Sequence, residues 1–338
     1  MATSEQLAHS IDCRWLLALY ALIPLSLLAI VVDTLLLNGQ GIHQYLPDRP
    51  EQWPFWTVIF GLPHIIASLL TMSDREYLSF YRRSLLWPLI IFAAIASAGH
   101  FGPQPLSYNL LFVIFAFYTI YHVLAQQLGL TLMMMGIAPS RLFRYWKWTS
   151  VLAGFAIYIN VYGQQYMGNM AFSLGDRVID IQQLFTWIAA LLCAAQLILA
   201  WRLAPSSRHR IGVWYMWSNV ALLLSALLIN HIGYTLFVIL IPRVIHDLTA
   251  YTVYITHDRN RNRQGRINPL YRLTGGGRLS PLLLLPALSI AIAFVLSSHQ
   301  HYPVISIAIL TVSFLHYYFE GFIWRGPNPH RNYVNFIR

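Results

Sequence analysis

The stretch 303–324, PVISIAILTVSFLHYYFEGFIW, is apolar over most of its length but contains one histidine and one glutamate, His316 and Glu320. About 20 predominantly apolar residues are enough to cross the hydrocarbon core of a bilayer as a helix. The stretch therefore predicts a membrane-spanning helix that buries two ionisable side chains. Similar segments recur along the chain, and we predict ten spans: 14–37, 52–73, 85–103, 106–134, 147–169, 180–203, 212–233, 235–257, 280–298 and 303–324.

The composition excludes the class of soluble globular proteins. Hydrophobic residues make up 57% of the chain and charged residues 10%, with a mean hydropathy of +0.54, whereas soluble domains carry about 25% charged residues. The first apolar segment is too long for a signal peptide and has no clear cleavage site, so we expect a retained helix. The predicted fold is all-α, a polytopic single transmembrane domain over residues 1–338.

The formal net charge of +10 reflects membrane topology. Basic residues concentrate in alternate loops, which the positive-inside rule assigns to the cytoplasm. This alternation predicts an even number of spans with both termini cytoplasmic. The bilayer, in our expectation the bacterial inner membrane, is the predicted partner, and no nucleic-acid partner is expected. The predicted cytoplasmic segments are 74–84, 135–147, 202–211, 258–279 and the tail 325–338.

Ionisable side chains inside membrane spans are costly, and they usually face the protein interior and mark function. The helical rise of 1.5 Å per residue converts sequence position into depth. Measured from the cytoplasmic ends, four histidines lie at about 14–20 Å, near the bilayer centre. A shared depth on four separate helices predicts a metal site. The seven ionisable residues are His64, His122, Arg243, His246, Asp247, His316 and Glu320.

The predicted metal ligands are these four histidines, with two additions. Glu320 is four residues from His316 and shares its helix face, and His100 is the best candidate from the outer half of the membrane. Asp247 or Glu320 could accept the second ring N–H of a metal-bound histidine. Glu320, Asp247 and Tyr317 are the predicted catalytic residues. For Arg243 and Asp247, also four residues apart, a structural ion pair is favoured over a catalytic couple.

The other histidines and the two cysteines carry weaker signals. The outer residues His231, His299 and His301 could form a second metal site, extend the first or lie in solvent, and exposure is favoured for His299 and His301. Cys13 and Cys193 form neither a disulfide framework nor a metal motif. Histidines in loops or tails are expected to be solvated: His9, His43, His209 and His330.

Imidazole and carboxylate ligands are typical of iron, zinc, copper and manganese sites. Zinc hydrolysis would need water in mid-membrane, whereas O₂ and hydrocarbon both dissolve in lipid, so the favoured cofactor is non-haem iron, as one or two ions. Another transition metal stays open. Two further interpretations stay open as well: a midplane transporter or channel for a metal ion or proton, and a haem- or quinone-binding membrane protein.

Two short segments carry a resemblance to a known family. Gly61-Leu62-Pro63-His64 and His100-Phe101-Gly102 resemble the G-L-P-H and H-F-G segments of the bacteriorhodopsin-related family of membrane β-carotene-cleaving dioxygenases. The resemblance implies a polytopic enzyme that uses histidine-ligated iron to cleave a long polyene, and more broadly a histidine-rich non-haem iron membrane oxygenase. The adjacent histidines of membrane desaturases and alkane hydroxylases have no counterpart in this sequence.

The predicted function is therefore that of a membrane-embedded non-haem metal oxidase or oxygenase. Its expected substrate is a hydrophobic small molecule, lipid-like or a polyene, because a mid-membrane site is reached sideways from the lipid. O₂ and an electron donor are the expected co-reactants.

Overall fold

The computed structural model describes residues 8–46, 61–167, 171–174, 177–265, 268–272, 280–326 and 328–338. The protein is all-α and 83% helical, which confirms the predicted fold class. Short 3-10 segments and one isolated helical turn connect the longer helices. We number these α1 Cys13–Leu36, α2 Leu62–Met72, α3 Arg75–Phe101, α4 Leu106–Met135, α5 Arg141–Met167, α6 Ile181–Leu203, α7 Arg210–His231, α8 Thr235–Arg263, α9 Ser280–Ser298 and α10 Pro303–Glu320.

Eight of these helices are long and apolar enough to cross a membrane, namely all but α2 and α5. Helix α2 is apolar but comprises 11 residues, and the beginning of its predicted span, 52–60, lies outside the described residues. Helix α5 has 27 residues, but Arg141, Arg144 and Lys147 lie in its first two turns. The protein thus has the helices of an integral membrane protein, and ten spans stay a prediction.

The helix boundaries differ from the predicted ones where charged turns extend an apolar segment. Helix α3 begins at Arg75 instead of residue 85, because the Asp74 carboxylate caps it by accepting a hydrogen bond from the amide of Glu76 at 2.8 Å. Most of the predicted loop 74–84 is therefore helical, and α8 likewise continues to Arg263. Hydropathy detects only the apolar part of a helix, whereas a cap and exposed charged turns extend it at little cost.

Contacts between Cα atoms divide the chain into two compact units. Helices α4 and α8 contribute residues to both. The predicted single transmembrane domain stays a prediction. The first unit comprises Met1–Cys13, Pro54–Leu111 and Asp247–Ile337; the second comprises Arg14–Trp53, Phe112–His246 and Arg338.

In the first unit, α10 packs against α3 and α2, and α9 packs against α2. Leu315 and Phe319, four residues apart on one face of α10, form a buried apolar stripe that Ile323 extends in the turn after the helix. His316 and Glu320 follow that stripe by one residue each, so they lie on the neighbouring face of α10. The apolar contact with α3 therefore fixes the direction in which both polar side chains point.

The described segments near the two termini meet in the first unit. Strand β1, Ile11–Asp12, pairs in parallel with the last strand, Phe336–Ile337, and the amide of Ile11 donates to the carbonyl of Asn335 at 2.8 Å. Asn260 of α8 binds the main chain of both His9 and Tyr333. The two terminal segments therefore lie side by side, and their cytoplasmic location stays a prediction.

In the second unit, α5 packs against α6, and α7 packs against both. A buried hydrogen-bond network joins α1, α4 and α7: the hydroxyl of Tyr20 donates to Asn219 at 2.9 Å, and Tyr215 donates to Gln127. The unit also contains a β-hairpin of Ala171–Leu174 and Arg177–Asp180. Because buried polar groups are costly unless they are paired, this network fixes how the three helices align.

Two glycines of the second unit give a matched test of its packing. A Cβ at Gly212 would lie 2.4 Å from backbone atoms of Met135, whereas a Cβ at the exposed Gly129 would meet no atom within 4 Å. We expect Gly212→Ala to lower the free energy of unfolding by about 1–3 kcal/mol through overpacking. Gly129→Ala should raise it by up to about 1 kcal/mol, because alanine favours the helix. Thermal unfolding in detergent measures both, and equal effects would contradict the close approach of α4 and α7.

Candidate metal centre

His64 lies in the first turn of α2, directly after Pro63. A proline in the first turn breaks no helical hydrogen bond, so Gly61-Leu62-Pro63 can begin a buried helix. His64 then lies close to the N-terminus of this helix. The His64 side chain is buried. Its Nδ1 atom lies 3.0 Å from Oδ1 of Asp247, which is also buried. A carboxylate this close to the ring is of the type that orients metal-binding imidazoles.

His316 of α10 lies beside His64 and is completely buried. The two rings are arranged edge-to-face, with centroids 4.9 Å apart, and one potential ligand atom of each lies within 4.8 Å of the other. The Nδ1 atom of His316 is 2.6 Å from the hydroxyl of Ser68, one turn beyond His64 on α2. A polar oxygen thus lies close to Nδ1 of each histidine, which would leave Nε2 as the nitrogen that binds a metal. We call His64, His316, Asp247 and Ser68 the His64–His316 cluster.

Glu320 lies one turn after His316, and both of its oxygens accept hydrogen bonds. The hydroxyl of Tyr254 donates to Oε1 at 3.0 Å, and the indole N–H of Trp324 donates to Oε2 at 2.6 Å. Tyr254 and Trp324 therefore hold the Glu320 carboxylate in place, and direct ligation by Glu320 stays a prediction.

The second unit contains the other two predicted histidines. His122 of α4 and His246 of α8 are buried, and their rings meet edge-to-face with centroids 5.0 Å apart. Helix α8 supplies His246 to this pair and the next residue, Asp247, to the His64–His316 cluster. All four predicted histidines thus lie in buried pairs, and their convergence on one ion stays a prediction. Buried imidazoles with carboxylates form a donor set that suits a transition metal and not Mg²⁺ or Ca²⁺.

The remaining predicted site residues are placed as follows. Tyr317 is buried with its ring 5.6 Å from that of His316. His100 is half-buried in the last turn of α3 with Phe101 5.3 Å away, and its role as a ligand stays a prediction. The carboxylate of Asp247 contacts His64, and the ion pair predicted between Asp247 and Arg243 stays a prediction.

The outer histidines and the cysteines differ in their exposure. His231, His299 and His301 are exposed, as favoured for the latter two. His299 and His301 pack their rings against each other and against Tyr302. Cys13 and Cys193 are buried free thiols. The exposed histidines are therefore suitable positions for control substitutions.

A second buried polar cluster lies near the end of α8 and was not predicted. The Nδ1 atom of His257 lies 2.8 Å from Oδ1 of Asp258, and its Nε2 atom lies 2.8 Å from the hydroxyl of Tyr77. The hydroxyl of Tyr271 donates to Oδ2 of Asp258. All four side chains are buried. The sequence signal, a histidine followed by an aspartate where a span ends, also describes an ordinary solvated helix end.

His330 completes this cluster, which we call the α8-end cluster. The expectation of a solvated tail histidine is wrong, because the 3-10 segment Pro329–Tyr333 inserts His330 between α3 and α8, where its exposure is 0%. Its ring stacks on Tyr77 at 3.8 Å and on His257 at 5.0 Å. Burial lowers the pKa of His330 well below its ordinary value, and the neighbouring His257 and Arg261 lower it further.

The pKa values of two further groups outside the spans, Tyr271 and Asp74, are also shifted. Burial raises the pKa of the Tyr271 hydroxyl, and its hydrogen bond to Asp258 raises it further. At Asp74, burial favours a raised pKa, but hydrogen bonds from Arg261 and from the amide of Glu76 outweigh it and lower the pKa. The Arg261 guanidinium binds both Asp74 and Glu76, at 2.9 and 3.0 Å. These charged groups join α8 to the beginning of α3.

Because His330 is buried and its pKa is lowered, we expect the folded protein to lose stability in acid. The unfolded chain binds a proton at this residue near pH 6.5, whereas the folded chain does not, so stability is complete above that pH and falls below it. We expect His330→Phe, which keeps an aromatic ring beside Tyr77, to reduce this loss by up to about 1.4 kcal/mol per pH unit below pH 6. Thermal unfolding from pH 5 to 7.5 measures the slope. The exposed His43, as His43→Phe, is the control that should leave the slope unchanged.

Comparisons with known proteins give no information on this site. No protein-family model, no curated protein and no solved structure matches this chain.

Proposed function

We propose that this protein is a metal-dependent oxidoreductase of the membrane, an oxygenase-like enzyme that uses non-haem iron on a hydrophobic substrate. The observation that carries the proposal is the His64–His316 cluster, in which Asp247 and Ser68 lie against the two Nδ1 atoms. This is the arrangement in which protein groups orient metal-binding imidazoles through their second nitrogen. The buried pair His122 and His246 and the carboxylate Glu320 are the further ligands predicted from the sequence.

The environment of the cluster supports redox chemistry over hydrolysis. The cluster residues are buried and their helices are apolar, so water is scarce while O₂ and hydrocarbons dissolve readily in the surrounding lipid. When bound, iron would supply the capacity to activate O₂ with electrons from an external donor. The residues of this chain orient the ligands, and Tyr254 and Trp324 hold the Glu320 carboxylate in place.

Metal content is the first test. We expect the purified protein to retain a near-stoichiometric transition metal, and His64→Ala and His316→Ala to lose it while remaining folded. Asp247→Asn should bind the metal about 10–100-fold more weakly, because the imidazole is then less well oriented. His299→Ala, at an exposed position, is the control that should retain the metal. Elemental analysis, an optical spectrum and thermal unfolding measure these outcomes.

The same preparation separates the alternatives. Consumption of O₂ that depends on a long-chain hydrophobe and is lost in His316→Ala supports the enzyme. Metal flux into proteoliposomes, lost in the same variant, would make the protein a transporter. A haem spectrum would exclude a non-haem site.

We further propose that both termini lie in the cytoplasm of a bacterial inner membrane, as the arginine-rich loops predict. In a background without Cys13 and Cys193, Arg263→Cys and His301→Cys should react with an impermeant thiol reagent from opposite sides. The expected result is labelling of His301→Cys in intact cells, and of Arg263→Cys only after permeabilisation. Labelling of both positions from one side would contradict the topology.

A further inference from the structure

The second unit contains a small cavity between α4, α5, α7 and α8. Its volume is about 60 Å³. Most of the side chains around it are buried. The wall is largely aliphatic, and its members include Leu124, Leu223, Ala226 and Ile239. The cavity is therefore an apolar space inside the second unit.

Three polar side chains also border the cavity, namely Thr119, Tyr158 and Arg243. All three interact with other groups of the protein. A water molecule inside a protein needs about two to four polar partners, whereas this wall consists mainly of methyl and methylene groups. The cavity therefore favours an apolar occupant over water.

The volume of the cavity limits the size of that occupant. An apolar cavity of about 150 Å³ in another protein stays free of water and binds benzene or xenon. The volume of about 60 Å³ is less than half of that, which is too small for a ring or an acyl chain. It is still several times the roughly 10–15 Å³ that one water molecule requires. The cavity therefore suits a small apolar gas molecule.

The cavity lies beside the buried histidine pair of the same unit. Three residues of α8 border it, namely Ile239, Pro242 and Arg243. His246 follows them by seven, four and three residues, which places it on the same face of α8, about one helical turn beyond the wall. The ring of His246 meets that of His122, with centroids 5.0 Å apart. A gas molecule in the cavity would thus be close to two predicted metal ligands.

We propose that this cavity binds molecular oxygen and holds it beside His122 and His246. This assignment rests on the proposed function, in which O₂ is a co-reactant, and it adds a binding site for O₂ in the second unit. Of the small apolar gases dissolved in a membrane, O₂ is the one that an oxygenase consumes. The aliphatic wall binds O₂ through dispersion contacts and requires no polar partner.

Xenon is the first probe, because it is apolar, similar in size to O₂ and changes the NMR signals of nearby methyl groups. In the purified full-length protein with labelled methyl groups, we expect the signals of Leu124, Leu223 and Ile239 to shift with xenon pressure and to reach saturation. The signal of the exposed Leu191 should change only in proportion to the pressure, as for gas dissolved in detergent. Paramagnetic O₂ should then broaden the signals of the same three lining residues most strongly.

Substitutions that fill the cavity provide the matched comparison. Ala226→Phe should remove both the saturable xenon shift and the excess broadening by O₂. Ala194→Phe, the same change at an exposed position of α6, should leave both unchanged. If Ala226→Phe does not fold in a thermal-unfolding assay, Ala226→Leu is the smaller replacement. It should raise the xenon pressure at half-saturation by about 10-fold or more, because xenon would have to displace the added methyl groups.

A xenon response of the wild-type protein that never saturates would overturn the proposed oxygen site. So would an unchanged response in a folded Ala226→Phe or Ala226→Leu variant, or broadening by O₂ that is no stronger at the lining residues than at Leu191. Gas binding requires neither turnover nor bound metal. Saturable binding in a protein that retains no metal and consumes no O₂ would therefore refute the enzyme but not the cavity, and O₂ consumption without saturable binding would refute only the cavity.

Discussion

An ionisable or polar side chain in an apolar helix must find a partner inside the protein, and much of this structure depends on how that requirement is met. Asp247 contacts His64, Ser68 contacts His316, and Tyr254 and Trp324 bind Glu320. Each contact joins two separate helices or adjacent turns of one segment. The polar groups that are suited to chemistry therefore also determine how their helices align.

The buried histidines have different partners in the two units. In the first unit, a carboxylate and a hydroxyl lie close to the Nδ1 atoms of His64 and His316, which is how groups beside metal-binding imidazoles are usually placed. In the second unit, the two buried histidines His122 and His246 contact each other edge-to-face, with ring centroids 5.0 Å apart.

The α8-end cluster shows that burial extends beyond the apolar segments. His330, far from α8 in the sequence, inserts between α3 and α8 and stacks on Tyr77, while Asn260 binds the main chain near both termini. These contacts anchor the C-terminal tail to the helices. A tail residue can thus influence the stability of the first unit, because its desolvation is coupled to the folded position of the tail.

The sequence alone determined the all-α membrane class. It also predicted the burial of four histidines, His64, His122, His246 and His316, because hydropathy and helical rise depend only on residue type and order. It also indicated the His316 and Glu320 face, since residues four apart share a helix face. Only the tertiary structure decided that Asp247 contacts His64, that Ser68 contacts His316 and that His330 is buried. These contacts join residues far apart in the chain, and their partners depend on which helix faces pack together. Periodicity along one helix carries no information on that choice.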